Sequence, residues 1–393
     1  VAEKRGAFKA WTVLLALMTF SLSLLGTFLV RSGVLSSVHA FAVDPQRGAY
    51  ILGFMMVVVG GSLALFAWRA PRMVAGGAFT WFSRESMLLA NNVMLVASVA
   101  AVLLGTLYPL FIDALGLGKL SVGPPYFNAV FVPLITPALF LMGVGPLMRW
   151  KGDSVPDVLH RLKWALGISM ATGLLLPLTL DGYKPWAVLG LGVATWVVLT
   201  VLIAFRERVK SVGQLASLPR AFWGMHLAHL GLAIGIAGIT MVVNYERELD
   251  VRMNVGDQAQ MAGYTLTFMG TENYSGPNYE ATRGTVIVSK DGAERFRLYP
   301  AKRIYNRSGS VMTEASVRPS LFSDLYVSLG EPLNNELTTW AVRLYYKPFI
   351  NWLWVGALFM VVGGFLAASD RRYRIGAKAR ASVSSTAPTA QGA

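Results

Sequence analysis

Eight apolar runs, each close to the ~20 residues that a bilayer core demands, punctuate the chain at 8–30, 48–68, 87–111, 127–148, 164–180, 186–205, 221–244 and 349–368. The connections between them are short and polar, with one exception. Residues 245–347 form a long polar stretch in which side chains alternate with a period of two. Trp340, Val342, Leu344 and Tyr346 fall on one face and Ala341, Arg343 and Tyr345 on the other, while Tyr264, Leu266 and Phe268 alternate in the same way. Lys290-Asp291-Gly292 is a hairpin signal between 285–288 and 295–299. The pattern predicts a polytopic α-helical membrane protein of about eight transmembrane helices, with a small β-rich domain, a barrel or sandwich, between the last two spans. The expected division is a seven-span bundle over 1–244, the β domain over 245–347, the last helix over 348–370 and a disordered Ser, Thr, Ala and Pro tail over 371–393.

Composition supports this and adds an orientation. The chain is 54% hydrophobic and only 14% charged, too apolar for a soluble domain of this length. A net charge of +14 would suggest nucleic acid in a soluble protein. Here the basic residues Lys4, Arg5, Lys9, Arg69, Arg72, Arg84, Arg149, Lys151, Arg161, Lys163, Arg206, Arg208, Lys210, Arg220, Arg371 and Arg372 all fall on one side of the eight runs. That asymmetry argues against a nucleic-acid partner and predicts both termini in the cytoplasm, with the loop at 31–47 and the β domain on the far, outer side. With no cysteine, disulfides, thiolate ligands and thiol redox chemistry by this chain are excluded. Ligation of a metal or cofactor then falls mainly to His39, His160, His226 and His229, or to the 16 methionines.

Alone, His39 reads as a solvated loop histidine. Arg31 lies at the membrane exit of the same segment, and an imidazole with a guanidinium suits an anionic ligand such as a haem and its propionates; Arg31 equally suits snorkelling to lipid head groups. His226 and His229 sit within the seventh run, where an ionisable group is costly and marks a functional candidate. A spacing of three places both on roughly one face, with His229 about 13 Å along the helix from Arg220. They cannot both ligate one haem iron axially, since axial ligands approach from opposite faces. The competing reading is an interhelical hydrogen bond. Gly231, Ala233, Gly235, Ala237 and Gly238 leave room for a flat ring or another helix. His160 is expected to be solvated in a basic loop; Glu85, Asn91 and Asn92 read as helix glue or as cofactor contacts. No P-loop, HExxH, GxSxG or paired catalytic carboxylate occurs, so no catalytic residue is assigned.

Four motifs carry a resemblance to a known family. They are Leu25-Gly26-Thr27-Phe28-Leu29-Val30-Arg31-Ser32-Gly33-Val34-Leu35 leading to Val38-His39-Ala40-Phe41-Ala42; Trp81-Phe82-Ser83-Arg84-Glu85-Ser86 with Leu88-Leu89-Ala90-Asn91-Asn92; Trp223-Gly224-Met225 with Ala228-His229-Leu230-Gly231; and Trp340-Ala341-Val342-Arg343-Leu344-Tyr345-Tyr346-Lys347-Pro348-Phe349. Together they resemble the C-terminal part of the CcmF/CycK/NrfE family, haem lyase subunits of bacterial cytochrome c maturation. The similarity covers all but the last few residues. It implies a multi-pass protein of the bacterial inner membrane that receives haem at the periplasmic face from a CcmE-type haem chaperone. It further implies that the protein oversees thioether attachment to the CxxCH cysteines of apocytochrome c, with a CcmH-type subunit handling thiols.

By the same resemblance, His39 is an axial ligand of the incoming haem, and His229 is an axial ligand of a haem b inside the membrane. Arg31, Trp223, Asn91 and Asn92 are their neighbours. The membrane haem b is expected to relay electrons, with quinol as donor, to the iron of the haem awaiting attachment. His226 lies outside the family pattern and is assigned to packing or fine tuning. Family members also carry an N-terminal half with a tryptophan-rich motif and the partner histidines. Neither is present, so the chain is expected to be a fragment or one part of a split protein that alone binds haem weakly or not at all. A close variant is a paralogous lyase for nitrite reductase assembly; a different class altogether is a membrane haem exporter or transporter, which would show broken helices.

Overall fold

The structure, a computed structural model, describes residues 7–32, 45–73, 80–334 and 336–370. Among these are eight long helices: α1 (Lys9–Arg31), α2 (Pro45–Met73), α3 (Arg84–Ala114), α4 (Pro124–Val144), α5 (Val155–Leu175), α6 (Pro185–Arg208), α7 (Arg220–Tyr245) and α8 (Ile350–Ala368). All eight are long and apolar enough to cross a membrane. Prolines open α4 and α6, where the missing N–H costs nothing. Ser83 caps α3, its Oγ accepting the Ser86 N–H at 3.2 Å. The fifth helix departs from expectation: it begins nine residues before the apolar run, at Val155, with Asp157 in its first turn, where a carboxylate complements the helix dipole. His160 therefore lies on the exposed side of a helix, where a loop was expected. The helix ends early because Pro177 shifts the chain into a short 3-10 turn, Leu176–Thr179.

The chain forms two compact units, Val1–Asp157 and Val158–Ala393. In the first, α1 packs on α2 and α3 on α4. Gly105 lets the Tyr126 ring lie directly on α3, and the Tyr126 hydroxyl donates to the Ala101 carbonyl at 3.0 Å. The start of α3 is knotted to the segment after α4. Thr80 N–H donates to Lys151 O and Arg84 N–H to Arg149 O, both at 3.0 Å, and the buried Glu85 carboxylate accepts the Lys151 N–H at 2.8 Å.

In the second unit, α5 meets α6 at Gly173 and Gly192, α6 meets α7 at Gly190 and Thr240, and α7 meets α8 along a stripe of glycines. Arg161 of α5 grips Glu207 of α6 with both ends of its guanidinium. Ten antiparallel strands lie between α7 and α8: β1 (Arg247–Asn254), β2 (Gln258–Met261), β3 (Tyr264–Ser275), β4 (Tyr279–Lys290), β5 (Ala293–Leu298), β6 (Ala301–Tyr305), β7 (Val311–Glu314), β8 (Ser316–Arg318), β9 (Ser323–Pro332) and β10 (Thr339–Pro348). They form a sandwich of two sheets, β1-β10-β9-β8 and β2-β3-β4-β6-β7, with β5 also pairing β4. Period-two alternation turns Trp340, Val342 and Leu344 inward against Leu266, Phe268, Val286, Val288, Val327 and Leu329, all at most 2% exposed. Each such side chain contributes about 1.5–3 kcal/mol by leaving water. The buried Trp340 indole N–H donates to Leu337 O at 2.9 Å. Asp291 and Gly292, with φ of 55° and 76°, make the two-residue turn between β4 and β5.

Strand β1 follows α7 directly, and β10 leads directly into α8. Since Arg247 pairs with Tyr346, the antiparallel helix pair continues as an antiparallel strand pair. At the second junction Phe349 holds φ 56°, a left-handed conformation unusual for a bulky residue and one that costs of order 1–3 kcal/mol. It is held there by its N–H, which donates to Phe322 O at 2.7 Å, and by edge contacts of its ring with Phe322 and Trp352.

Candidate functional site

The site is built on α7, and α8 fixes how α7 is presented. Pro219, which precedes α7, offers no side-chain cap. The role passes to Asp370, just past α8, whose buried carboxylate accepts the Ala221 N–H at 2.9 Å and complements the helix dipole. Beyond this cap, Gly224, Gly231 and Gly238 recur every seven residues and face α8. A Cβ on Gly231 would lie 2.5 Å from the Gly356 carbonyl oxygen, and one on Gly238 would lie 3.0 Å from Trp352 Cβ. The contact is reciprocal, since a Cβ on Gly363 would strike the Gly224 carbonyl at 2.6 Å. Of the two visitors that these small residues suit, the neighbouring helix takes this face.

The opposite side of α7 meets α6. At about 100° per residue, His226 lies roughly 160° from the glycine stripe and His229 about 140° from it on that same far side. His226 is 2% exposed and sits among aromatic rings, with centroids 4.8 Å from Phe205 and 4.1 Å from Phe222. Its Nδ1 donates to the Phe222 carbonyl at 2.8 Å, a bond within its own helix that places the ring proton on Nδ1. This is a packed histidine. His229, one turn further along, is half-buried, and among the described residues no hydrogen bond engages its ring.

Trp223 lies about 120° round the helix from His229 and joins the aromatic group, 5.1 Å from Phe205; it is not on the His229 side. Asn91 and Asn92 are half-buried in α3 and Arg31 ends α1, all three within the first compact unit. His39 lies outside the described residues. Glu85 serves the α3 knot. Asp370 and Phe205 escaped the sequence reading. The seven-residue glycine period, matched by Gly356 and Gly363 on α8, is a signal that could have found the packed face.

Residues 244–348 match the family described as the CcmF C-terminal beta-sandwich. The chain is 49% identical over 384 residues to the cytochrome c-type biogenesis protein CcmF of Pseudomonas aeruginosa, covering 97% of this chain and 58% of that protein. It is 47% identical to CcmF of Escherichia coli strain K12, over 99% of this chain and 59% of that protein. The identity to NrfE of Haemophilus influenzae is 33%, over 94% and 58%. A solved structure of the cytochrome c heme lyase CcmF superposes with a TM-score of 0.73 at 26% identity, covering 93% of this chain and 55% of that one. The chain thus spans a little over half the length of the relatives it matches. Fold and comparisons define a multi-pass membrane protein that carries a β-sandwich between its last two helices. Within that class the chain belongs to the CcmF/CycK/Ccl1 family and corresponds to its C-terminal part.

Proposed function

We propose that this chain is a haem lyase component of cytochrome c maturation, anchored in the bacterial inner membrane with both termini cytoplasmic and the sandwich in the periplasm. The observation that carries the reading is the placement of His229. It lies in a membrane helix, off the face sealed by α8, half-buried, with no hydrogen bond among the described residues. An imidazole so placed would serve to hold the iron of a haem b. When bound, haem b supplies one-electron transfer. The protein's part is to hold His229 in orientation, through the Asp370 cap and the glycine stripe, and to keep water from the ring with apolar helices.

His39 is proposed to hold the substrate haem at the periplasmic face, with Arg31 toward its propionates. Arg31 ends α1, the position from which a side chain reaches the membrane surface. The substrate's vinyl groups then accept the two apocytochrome thiols, each S–H adding across one double bond. With no cysteine in this chain, thiol reduction falls to a CcmH-type subunit, haem delivery to a CcmE-type chaperone, and the electrons to quinol. Identity to CcmF at 49% against 33% to NrfE favours a cytochrome c substrate over nitrite reductase assembly. Replacing His229→Ala in the assembled complex should abolish a haem b absorbance while leaving membrane insertion intact; an unchanged spectrum would refute the assignment.

A further inference from the structure

The tip of the β8–β9 hairpin, Pro319-Ser320-Leu321-Phe322, turns at the same end of the sandwich as the β10–α8 junction, because Ser323 pairs with Pro348. Two hydrogen bonds lock it to the start of α8. Phe349 N–H donates to Phe322 O, and the Asn351 side-chain amide donates to Ser320 O, both at 2.7 Å. Three further bonds tie the turn and Asn351 back to the strand that follows it. Asp324 Oδ1 accepts the Ser320 N–H at 3.0 Å and the Asn351 amide at 2.7 Å, while the Ser320 hydroxyl donates to Ser323 O at 2.6 Å. Beside the exposed Ser320, the turn presents two large apolar side chains: Leu321 and Phe322 are each 57% exposed.

The depth of this tip follows from α8. Its 19 residues span about 28 Å at ~1.5 Å per residue, against a hydrocarbon core of about 30 Å. A helix with no spare length must begin at the hydrocarbon boundary, and a turn bonded to its first residues lies at that boundary too. Trp352, whose ring lies 6.4 Å from Phe322, is the residue type that favours this level. Arg318 precedes the tip, its guanidinium over the Phe296 ring at 5.3 Å, a cation of the kind that favours anionic lipid head groups.

We propose that the β8–β9 tip inserts Leu321 and Phe322 into the bilayer interface on the side that carries the sandwich, as a third membrane contact beside α7 and α8. The mechanical reason is the strand order. Strands β1 and β10 are neighbours, so the two covalent tethers lie about 4.8 Å apart and by themselves form a hinge about which the domain can rock. Strand β8 lies two strands further along the sheet, about 10 Å to the side. A contact there turns the hinge into a tripod and sets the tilt of the sandwich over the membrane.

Because the chain contains no cysteine, single-cysteine spin labels can be placed on the 393-residue chain in vesicles of phosphatidylethanolamine and phosphatidylglycerol. Labels at Leu321→Cys and Phe322→Cys should collide more often with dissolved oxygen than with a water-soluble nickel chelate. That preference should reverse at Leu333→Cys, an equally open position beyond the far end of β9. Water-like accessibility at 321 and 322, matching 333, would overturn the proposal. So would labels shielded from both reagents, which would mean that a protein surface covers the tip.

Discussion

The seam between α7 and α8 makes a sharp quantitative prediction through Gly231. The substitution Gly231→Ala adds one methyl group 2.5 Å from the Gly356 carbonyl oxygen, 2.7 Å from Phe359 Cβ and 2.9 Å from Met360 N. Two of these neighbours are backbone atoms and cannot rotate away. To restore ordinary contact at 3.4 Å the helices must part by about 0.9 Å, which places the change among overpacking substitutions that cost about 1–3 kcal/mol. A gap of that size forfeits a quarter to a half of the dispersion energy of each contact along the seam. The same change at Gly235, on the same helix, meets nothing within 4 Å. There alanine relieves the helix of glycine's backbone entropy and is worth about 0.5–1 kcal/mol in favour of folding. Thermal unfolding of the detergent-solubilised chain, followed by tryptophan fluorescence, should therefore place Gly231→Ala below the parent and Gly235→Ala at or above it. If Gly231→Ala melted with or above Gly235→Ala, the close apposition of α7 and α8 would be refuted.

Two further outcomes follow. Asp370→Ala removes the only side-chain cap described for α7 and should cost about 0.5–2 kcal/mol, read as faster amide exchange at Ala221 and the residues after it; unchanged exchange would mean the cap is idle. In the sandwich, hydrogen bonding from Arg343 holds the Asp250 carboxyl below its ordinary range. Its contribution is therefore fully present above the unfolded value of about 3.9 and is lost as pH falls through the lower folded value. Asp250→Asn should flatten that acid limb of the unfolding curve, and an identical pH profile would show that the pair does not contribute.

Much of this architecture was readable before any coordinates, because its signals are local. Eight run lengths specify eight helices, two-residue alternation specifies β10, and Asp291-Gly292 specifies a turn that needs positive φ at both positions. The failures are equally physical. The first turns of α5 carry Asp157, His160, Arg161 and Lys163, so an apolar window cannot see where the helix begins. The break in register between Phe268 and Thr271 in β3 depends on Gly270, whose φ of 102° could belong to any loop glycine. Asp370 and Ala221 are 149 residues apart, and no local pattern couples them. In the candidate site, two histidines three residues apart carry the same chemistry on paper. The resemblance sets His226 apart from His229, and the rings of Phe205 and Phe222 show how it is packed.

The unbroken passage of α7 into β1 and of β10 into α8 has a kinematic consequence. The ladder that pairs Arg247 with Tyr346 sets the axial offset of the two helices. That offset brings Gly231 opposite Gly356 and Gly224 opposite Gly363. The sheet and the glycine seam are thus two scales of one vernier, and neither helix can slide along the other without stripping hydrogen bonds from the strands above it. Within the lipid the two helices are therefore held in step and move as a single spar.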